Sequence, residues 1–198
     1  MLISKPKAVF HMRYRFEIRM EELMIYITGD THSDFTRFTE EQFPIQSEMT
    51  KNDYVIICGD FGGVWTFEEE SNREKYFLDW LNNKNFTTLF VDGNHENFTR
   101  LYIDYPVEEW HGGKMHKIRD SVLHLMRGEI FDIDSKKIFS FGGGTYKKDY
   151  LTDYLQEISE KLEFKKWYFG HYHDYRQVNS QFVLLYEDIV QLEFKSVF

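Results

Sequence analysis

The chain has 198 residues, of which 42% are hydrophobic and 18% aromatic, so it can bury a substantial core and intrinsic disorder is disfavoured. With 24 Lys and Arg against 33 Asp and Glu, the formal net charge is −9, which disfavours general nucleic-acid binding. The single cysteine, Cys58, excludes an intramolecular disulfide, and its apolar neighbours predict a buried, unreactive thiol.

The first 23 residues precede the first convincing strand, so we expect an N-terminal extension at 1–23 and one domain at 24–198. This extension carries five Lys or Arg residues, and two interpretations stay open for it. It is an organellar transit peptide, or translation naturally starts at Met24, which opens the first strand. No stretch has the length of a membrane-spanning helix and no secretory h-region is evident, so we expect a cytoplasmic protein without a membrane partner.

Four short apolar runs each lead into a glycine followed by a side chain that can bind a metal. Runs rich in Ile, Val, Tyr and Phe predict buried strands, and glycine permits a sharp exit from each strand. Ligands of open α/β sheets lie beyond the carboxyl ends of the strands, where all four motifs would fall. The four runs are Met24–Thr28, Tyr54–Cys58, Thr87–Val91 and Lys166–Phe169.

Two helices are predicted. Ser71 and Glu74 have the spacing of a capping box, and the helix that follows forms a βαβ crossover with Tyr76, Phe77, Trp80 and Leu81 on its apolar face. The second helix covers Asp149–Leu162, because its apolar residues form one stripe. The members of that stripe are Tyr150, Leu151, Tyr154, Leu155, Ile158 and Leu162.

The second half of the chain favours strands. Val122–Met126, Glu129–Ile133 and Lys137–Phe141 are separated by two or three residues, which predicts a β-meander. Two further strands are expected at Phe182–Leu185 and Ile189–Phe194. The two halves together suggest two packed sheets flanked by helices.

The side chains after the four runs offer only oxygen and nitrogen donors, a set that suits Mn, Fe or Zn. Taken one at a time, each Asp or Asn could equally cap a turn, and each His could be structural. Their joint occurrence in order favours a metal site. The residues are Asp30 and His32, Asp60, Asn94 and His95, and His171 and His173.

In this order, Asp-x-His, Gly-Asp, Gly-Asn-His-Glu and Gly-His-x-His resemble the motifs of the calcineurin-like metallophosphoesterases, from Met24 to about Phe194. The resemblance implies a four-layer αββα sandwich of two mixed sheets with a centre of two divalent ions at the strand ends. It also implies two sets of ligands. Asp30, His32, Asp60 and His173 would hold the first ion, and Asp60, Asn94, His171 and one further histidine would hold the second.

The resemblance implies hydrolysis of a phosphoester by a hydroxide that bridges the two ions, without a covalent intermediate. Asn94 and His95 would contact the substrate, and His95 would protonate the leaving-group oxygen or bind transition-state charge. Arg100 could contact a phosphate oxygen, although a solvated arginine on a helix face is the alternative.

The chain departs from the family at the further histidine. No histidine occurs between Phe141 and Gly170, and an internal deletion near Gly144-Thr145, which would also remove a strand, accounts for this. Substitute ligands are conceivable, but each has an ordinary explanation in a loop, on a strand surface or at a helix N-terminus. They are His111, His116, His124, Asp149 and Asp153.

Two functions follow. The first is a divalent-metal-dependent hydrolase of small phosphate mono- or diesters, and the alternative is a catalytically impaired metal-binding remnant or pseudoenzyme, which would bind one ion or none. A protein phosphatase is disfavoured because Gly59-Asp60 continues as Phe61-Gly62-Gly63 and not as Asp-Arg-Gly. The sequence leaves the natural substrate and the oligomeric state open.

Overall fold

The computed structural model describes residues 23–144 and 149–192. Its helices are α1 (Asn72–Asn82), α2 (Phe98–Ile103) and α3 (Tyr150–Lys161), and two short 3-10 helices cover Thr36–Phe38 and Pro44–Glu48. The strands are β1 (Ile25–Thr28), β2 (Tyr54–Cys58), β3 (Thr87–Val91), β4 (Val107–Trp110), β5 (Gly113–Arg119), β6 (Val122–Leu125), β7 (Ile130–Ile133), β8 (Lys136–Phe139), β9 (Trp167–Phe169), β10 (Arg176–Gln177), β11 (Phe182–Leu184) and β12 (Val190–Gln191).

A seven-stranded mixed sheet in the order β12-β1-β2-β3-β6-β5-β4 forms the centre of the fold. Strands β1, β2 and β3 lie side by side and parallel, and nearly all of their residues are buried, as expected for strands covered on both faces. Their carboxyl ends therefore meet at one edge of the sheet. The predicted positions of β2 and β3 are confirmed, and β1 begins one residue after the predicted Met24. The predicted α/β class is confirmed by this large mixed sheet, and where two mixed sheets were predicted the described strands form sheets of seven, three and two strands.

The predicted β-meander is confirmed for its second and third strands, which pair as β7 and β8, but it is wrong for its first strand. Strand β6 pairs in parallel with β3 and antiparallel with β5, whereas β7 and β8 form a separate two-stranded sheet. All four residues of β6 are buried, which suits a central strand, while β7 buries only one face. A two-residue spacing indicates a turn, but it does not determine which neighbour a strand selects.

A third sheet has the order β10-β11-β9, with β9 parallel to β11. It contains the fourth predicted strand, shortened by one residue to Trp167–Phe169. The two expected strands near the C-terminal end of the domain belong to different sheets, because β11 pairs with β9 whereas β12 pairs with β1. Residues 193 and 194 of the predicted final strand lie outside the described residues. Helix α2 and strands β4, β5 and β10 were not predicted from the sequence.

Helix α1 begins with the predicted capping box, in which the Ser71 hydroxyl accepts the Glu74 backbone N–H and the Glu74 carboxylate accepts the Ser71 backbone N–H. Its buried apolar residues are Leu78 and Leu81, whereas the predicted core residue Tyr76 is exposed. Helix α3 begins at an Asp149 cap, close to the predicted boundary, but it buries none of its side chains completely. The two helices therefore pack very differently.

Candidate metal centre

The ends of β1 and β2 bring two carboxylates together. Asp30 and Asp60 follow these strands by two residues, and both side chains are almost fully buried. Backbone groups tie the two loops to each other, since Asp60 C=O accepts the N–H groups of Thr31 and His32 at 3.1 and 2.8 Å. The parallel pairing of β1 with β2 thus places both acids in one small volume.

Four side chains form a group that could hold a metal ion. One ligand atom from each of Asp30, His32, Asp60 and His173 lies within 4.8 Å of all the others. The His32 Nε2 atom is 3.8 Å from Asp30 Oδ2 and from Asp60 Oδ2, and the His173 Nε2 atom is 3.4 Å from Asp30 Oδ2. Within the described residues this is the one group of three or more such side chains.

The chemistry of this group fits a divalent ion. Two nearly buried carboxylates bring negative charge that the neighbouring imidazoles compensate only when protonated, and two Nε2 atoms 2.8 Å apart point at the same space. Burial lowers the pKa of His32, against the opposing effect of Asp60 and Asp30, and so favours the neutral imidazole that a metal requires. Burial also raises the pKa of Asp30, although the His171 N–H opposes it.

The backbone of the centre is strained. His32, Asp60, His171 and His173 have positive φ angles of 46°, 34°, 78° and 47°, and Ser33 has 64°. Residues other than glycine adopt this left-handed region at a cost, and such strain clusters at functional sites. The loops are held in these conformations so that the side chains converge.

Asn94 and His95 follow β3, and their backbone N–H groups donate to Asp60 Oδ1 at 2.7 and 3.0 Å. Both side chains are exposed, and the His95 ring centroid lies 5.4 Å from that of His32. The His171 N–H donates to Asp30 Oδ2 at 2.8 Å. All the sequence-predicted ligand residues therefore belong to interlinked loops, although only four of them form the compact group.

The expected gap in the second ligand set lies beside His171. A Cβ atom added to Gly144 would lie 2.5 Å from His171 Nδ1, so the backbone at Gly144 packs closely against this imidazole. Thr145, the other side of the proposed deletion, lies outside the described residues, as do residues 146–148. No histidine between Phe141 and Gly170 exists to complete the set.

The candidate substitute ligands His111, His116, His124 and Asp149 make contacts outside the candidate centre. His116 and His124 stack on each other in the core, with 2.9 Å between their Nδ1 atoms, so the predicted strand-surface role is wrong for both. His111 contacts Asp132 C=O through Nδ1. The Asp149 carboxylate accepts the N–H of Thr152 as the cap of α3, which confirms its helix-terminus explanation. Asp153, in the first turn of α3, is not part of the metal-capable group.

The Arg100 side chain is buried and does not lie on a solvated helix face. Its side chain is 4% exposed, and Nη1 lies 3.1 Å from both carboxylate oxygens of Glu74 and 2.6 Å from the hydroxyl of Thr66. The solvated alternative is therefore wrong. The guanidinium already binds Glu74 and Thr66. The predicted contact between Arg100 and the substrate is untested, and these hydrogen bonds do not support it.

Three residues near the centre were not assigned a role from sequence. The Glu96 carboxylate accepts the N–H groups of Gly62 and Gly93 and so joins two loops of the centre. Arg37 donates to Asp30 C=O at 2.9 Å, and Tyr186 stacks on His173 with 4.8 Å between ring centroids. Glu96 is part of the Gly-Asn-His-Glu motif, whereas nothing in the local sequence marks Arg37 or Tyr186.

Cys58 is only partly buried and lines the cavity beside the centre, so the predicted burial is not complete. Burial raises the pKa of its thiol to about 12, with a smaller contribution from the Asp30 charge. A thiol with this pKa carries almost no thiolate at neutral pH, so it is neither a nucleophile nor a metal ligand here.

The sequence model of the calcineurin-like phosphoesterases matches residues 23–189. The chain therefore belongs to the calcineurin-like phosphoesterase family, whose general activity is metal-dependent hydrolysis of phosphoesters. Neither the curated proteins nor the solved structures contain a match to this chain. No helix in the described part of the chain combines the length and apolar character needed to cross a membrane.

Proposed function

We propose that the chain is a divalent-metal-dependent hydrolase of small phosphate mono- or diesters. The observation that carries this proposal is the convergence of Asp30, His32, Asp60 and His173 within 4.8 Å. These four side chains would hold one ion, and Asp60 with Asn94 and His171 would hold another. Mn, Fe and Zn all suit this donor set. A cytoplasmic location stays a prediction of the sequence.

Bound ions would supply Lewis acidity toward the phosphoryl oxygens and a nucleophile generated from water at neutral pH. Asp60 Oδ1 is occupied by two backbone N–H groups, which fixes the carboxylate and leaves Oδ2 directed to His32. The exposed imidazole of His95 beside His32 supports a role as proton donor to the leaving-group oxygen. Asn94, exposed next to it, would orient the phosphate.

The test uses the full chain loaded with Mn²⁺ and two chromogenic substrates, 4-nitrophenyl phosphate and bis(4-nitrophenyl) phosphate. Asp60→Asn should abolish turnover, and His95→Ala should lower kcat by about 10²–10⁴-fold. His111→Ala, which changes an exposed histidine outside the centre, should leave turnover unchanged. Correctly folded Mn²⁺-loaded protein that hydrolyses neither ester would contradict the proposal.

The second candidate is a metal-binding remnant that no longer catalyses. It is favoured by one observation, that residues 141–170 offer no histidine to complete the second ligand set beside His171. Elemental analysis of monodisperse protein distinguishes the two candidates. Two ions per chain support the enzyme, whereas one ion with no turnover supports the remnant.

A further inference from the structure

A cavity of about 940 Å³ lies next to the metal centre, between the large sheet, helix α3 and strands β8 and β9. We call it the interlayer cavity. Most of its wall is apolar, and six of the side chains that form this wall are Ile56, Val91, Ile138, Phe139, Leu151 and Leu155. The cavity is partly open to solvent, and its volume is much larger than that of the small gaps that remain between packed side chains in a protein interior.

Where it meets the candidate centre, the wall of the interlayer cavity is polar. Asp30, Asp60, Asn94 and His171 contribute to it there, and they are four of the six residues that we assign to the metal ions. The cavity is therefore continuous with the candidate centre and is not a separate site. Charged side chains, among them Lys136, Glu163 and Lys165, also line the cavity. Its volume falls in the range of small-molecule sites, which are mostly apolar with a few polar groups that fix one end of the ligand.

Within residues 23–144 and 149–192, no side chain fills the space beneath the apolar stripe of helix α3. Helix α1 buries Leu78 and Leu81 completely in the core, whereas α3 buries no side chain completely despite its apolar stripe. Leu151 and Leu155 of that stripe face the interlayer cavity. The strand that follows also contributes, since Trp167, Tyr168 and Phe169 of β9 line the same space.

We propose that the interlayer cavity receives the hydrocarbon part of the substrate, which would be a phosphate ester of a long-chain alcohol. The phosphate would lie at the metal centre and the chain would extend between α3 and the sheet. This inference rests on the proposed function for the position of the phosphate. It follows from the continuity of the apolar wall with Asp30, Asp60 and His171. Each methylene removed from water contributes to binding in proportion to its buried area.

Alkyl phosphonates test the inference because their C–P bond resists hydrolysis, so that binding is measured without turnover. Calorimetry on the full Mn²⁺-loaded chain would compare ethyl, butyl, octyl and dodecyl phosphonate below the concentrations at which they form micelles. We expect the affinity to rise by up to about fourfold per added methylene until the cavity is filled. Equal affinity for ethyl and dodecyl phosphonate would overturn the inference.

Two neighbouring positions on α3 supply a matched pair of variants. Leu155→Trp places a larger side chain in the cavity and should remove the dependence on chain length, whereas Gln156→Trp changes an exposed position and should preserve it. Leu151→Phe is a milder blocking variant for the case in which Leu155→Trp does not fold. A dependence on chain length that both blocking variants leave intact would place the hydrocarbon elsewhere and overturn the inference.

The same series separates this inference from the proposed function. If ethyl and dodecyl phosphate are hydrolysed at the same rate and the two phosphonates bind with equal affinity, the proposed phosphoesterase activity stands and the proposed hydrocarbon site is wrong. Chain-length-dependent phosphonate binding without hydrolysis of any ester would preserve the site as a binding site and contradict the catalytic proposal.

Discussion

The Asp30 carboxylate receives the backbone N–H of His171, with 2.8 Å between the amide nitrogen and Oδ2. This hydrogen bond connects residues 141 positions apart and joins the large sheet to the three-stranded sheet. It also fixes the loop from which His171 and His173 project. The candidate metal centre therefore depends on how the two sheets are held against each other, and not only on the side chains that would bind an ion.

Gly170→Ala should disrupt this connection. A Cβ atom at residue 170 would lie 2.0 Å from Asp30 Oδ1 and 2.7 Å from Cys58 C=O, so the loop and the carboxylate must separate. We expect Mn²⁺ affinity to fall by about tenfold or more, because the groups that orient metal ligands carry effects of this size. Titration calorimetry with Mn²⁺ measures the change.

Gly128→Ala is the control for Gly170→Ala. A Cβ atom there meets nothing within 4 Å, although φ is +80°. It should therefore cost about 1–2 kcal/mol of stability from its backbone conformation and leave Mn²⁺ affinity unchanged. Wild-type Mn²⁺ affinity in Gly170→Ala would show that the close approach of residue 170 to Asp30 is not required.

The strands that precede Asp30, Asp60 and Asn94 were predictable from sequence because the signals are local. Tyr54–Cys58 is a continuous apolar run that ends at Gly59-Asp60, and this pattern alone indicates a buried strand and its exit. The capping box at Ser71 and Glu74 is equally local and was predicted correctly.

The partners of buried polar residues were not predictable, since they come from distant parts of the chain. Arg100 binds Glu74 across 26 positions, and His124 contacts Asp92 across 32. The sequence around Arg100 does not show which distant side chains cover it. The sequence also predicted the stripe of α3 without indicating that a cavity, and not a packed core, lies beneath it.

Ionisation of the buried Glu96 carboxyl should lower the stability of the metal-free protein as pH rises. Burial, aided by the charges of Asp60 and Asp92, raises the pKa of its carboxyl to about 7 even though two backbone N–H groups oppose the shift. A raised pKa means that the folded state retains the proton. The stabilising contribution is therefore present below about pH 4.5 and is lost as pH rises through 7.

Glu96→Gln removes this titration while retaining a carbonyl oxygen that can accept an N–H group. In EDTA-treated protein, the difference in melting temperature between wild type and Glu96→Gln should shift in favour of the variant between pH 5 and pH 8. Differential scanning calorimetry measures both proteins. Parallel curves across this range would show that Glu96 does not titrate as its burial implies.

Glu74→Gln should destabilise the protein strongly, because it removes the buried carboxylate that pairs with Arg100 and leaves only the more exposed Asp104, whose Oδ2 lies 3.4 Å from Arg100 Nε. Removal of one member of a buried ion pair costs about 3–5 kcal/mol. Lys75→Gln is the matched control, since it breaks an exposed i,i+4 pair with Asp79 worth about 0.5 kcal/mol or less. Urea unfolding gives both values, and equal losses for the two variants would contradict the importance of the pair.

Glu74 also predicts a loss of stability in acid. Burial raises the pKa of its carboxyl, but hydrogen bonds from Thr66, Trp65 and Ser71 outweigh burial and lower the pKa to about 2. Because the folded pKa is below the unfolded value, the contribution is present above about pH 4.5 and is lost as pH falls toward 2. The Glu74→Gln variant should show a smaller loss in this window.

His116 should weaken the fold at mildly acidic pH. Burial, with a smaller contribution from the neighbouring His124, lowers its pKa to about 4. The unfolded chain takes up the proton near pH 6.5 while the folded chain resists it, so stability falls as pH decreases from about 6.5 to 4. His116→Phe should flatten this part of the stability curve, because it removes the titrating imidazole and keeps a stacked ring beside His124. His111→Phe, at an exposed position, should retain the wild-type slope, and a retained slope in His116→Phe as well would assign the acid sensitivity to other groups.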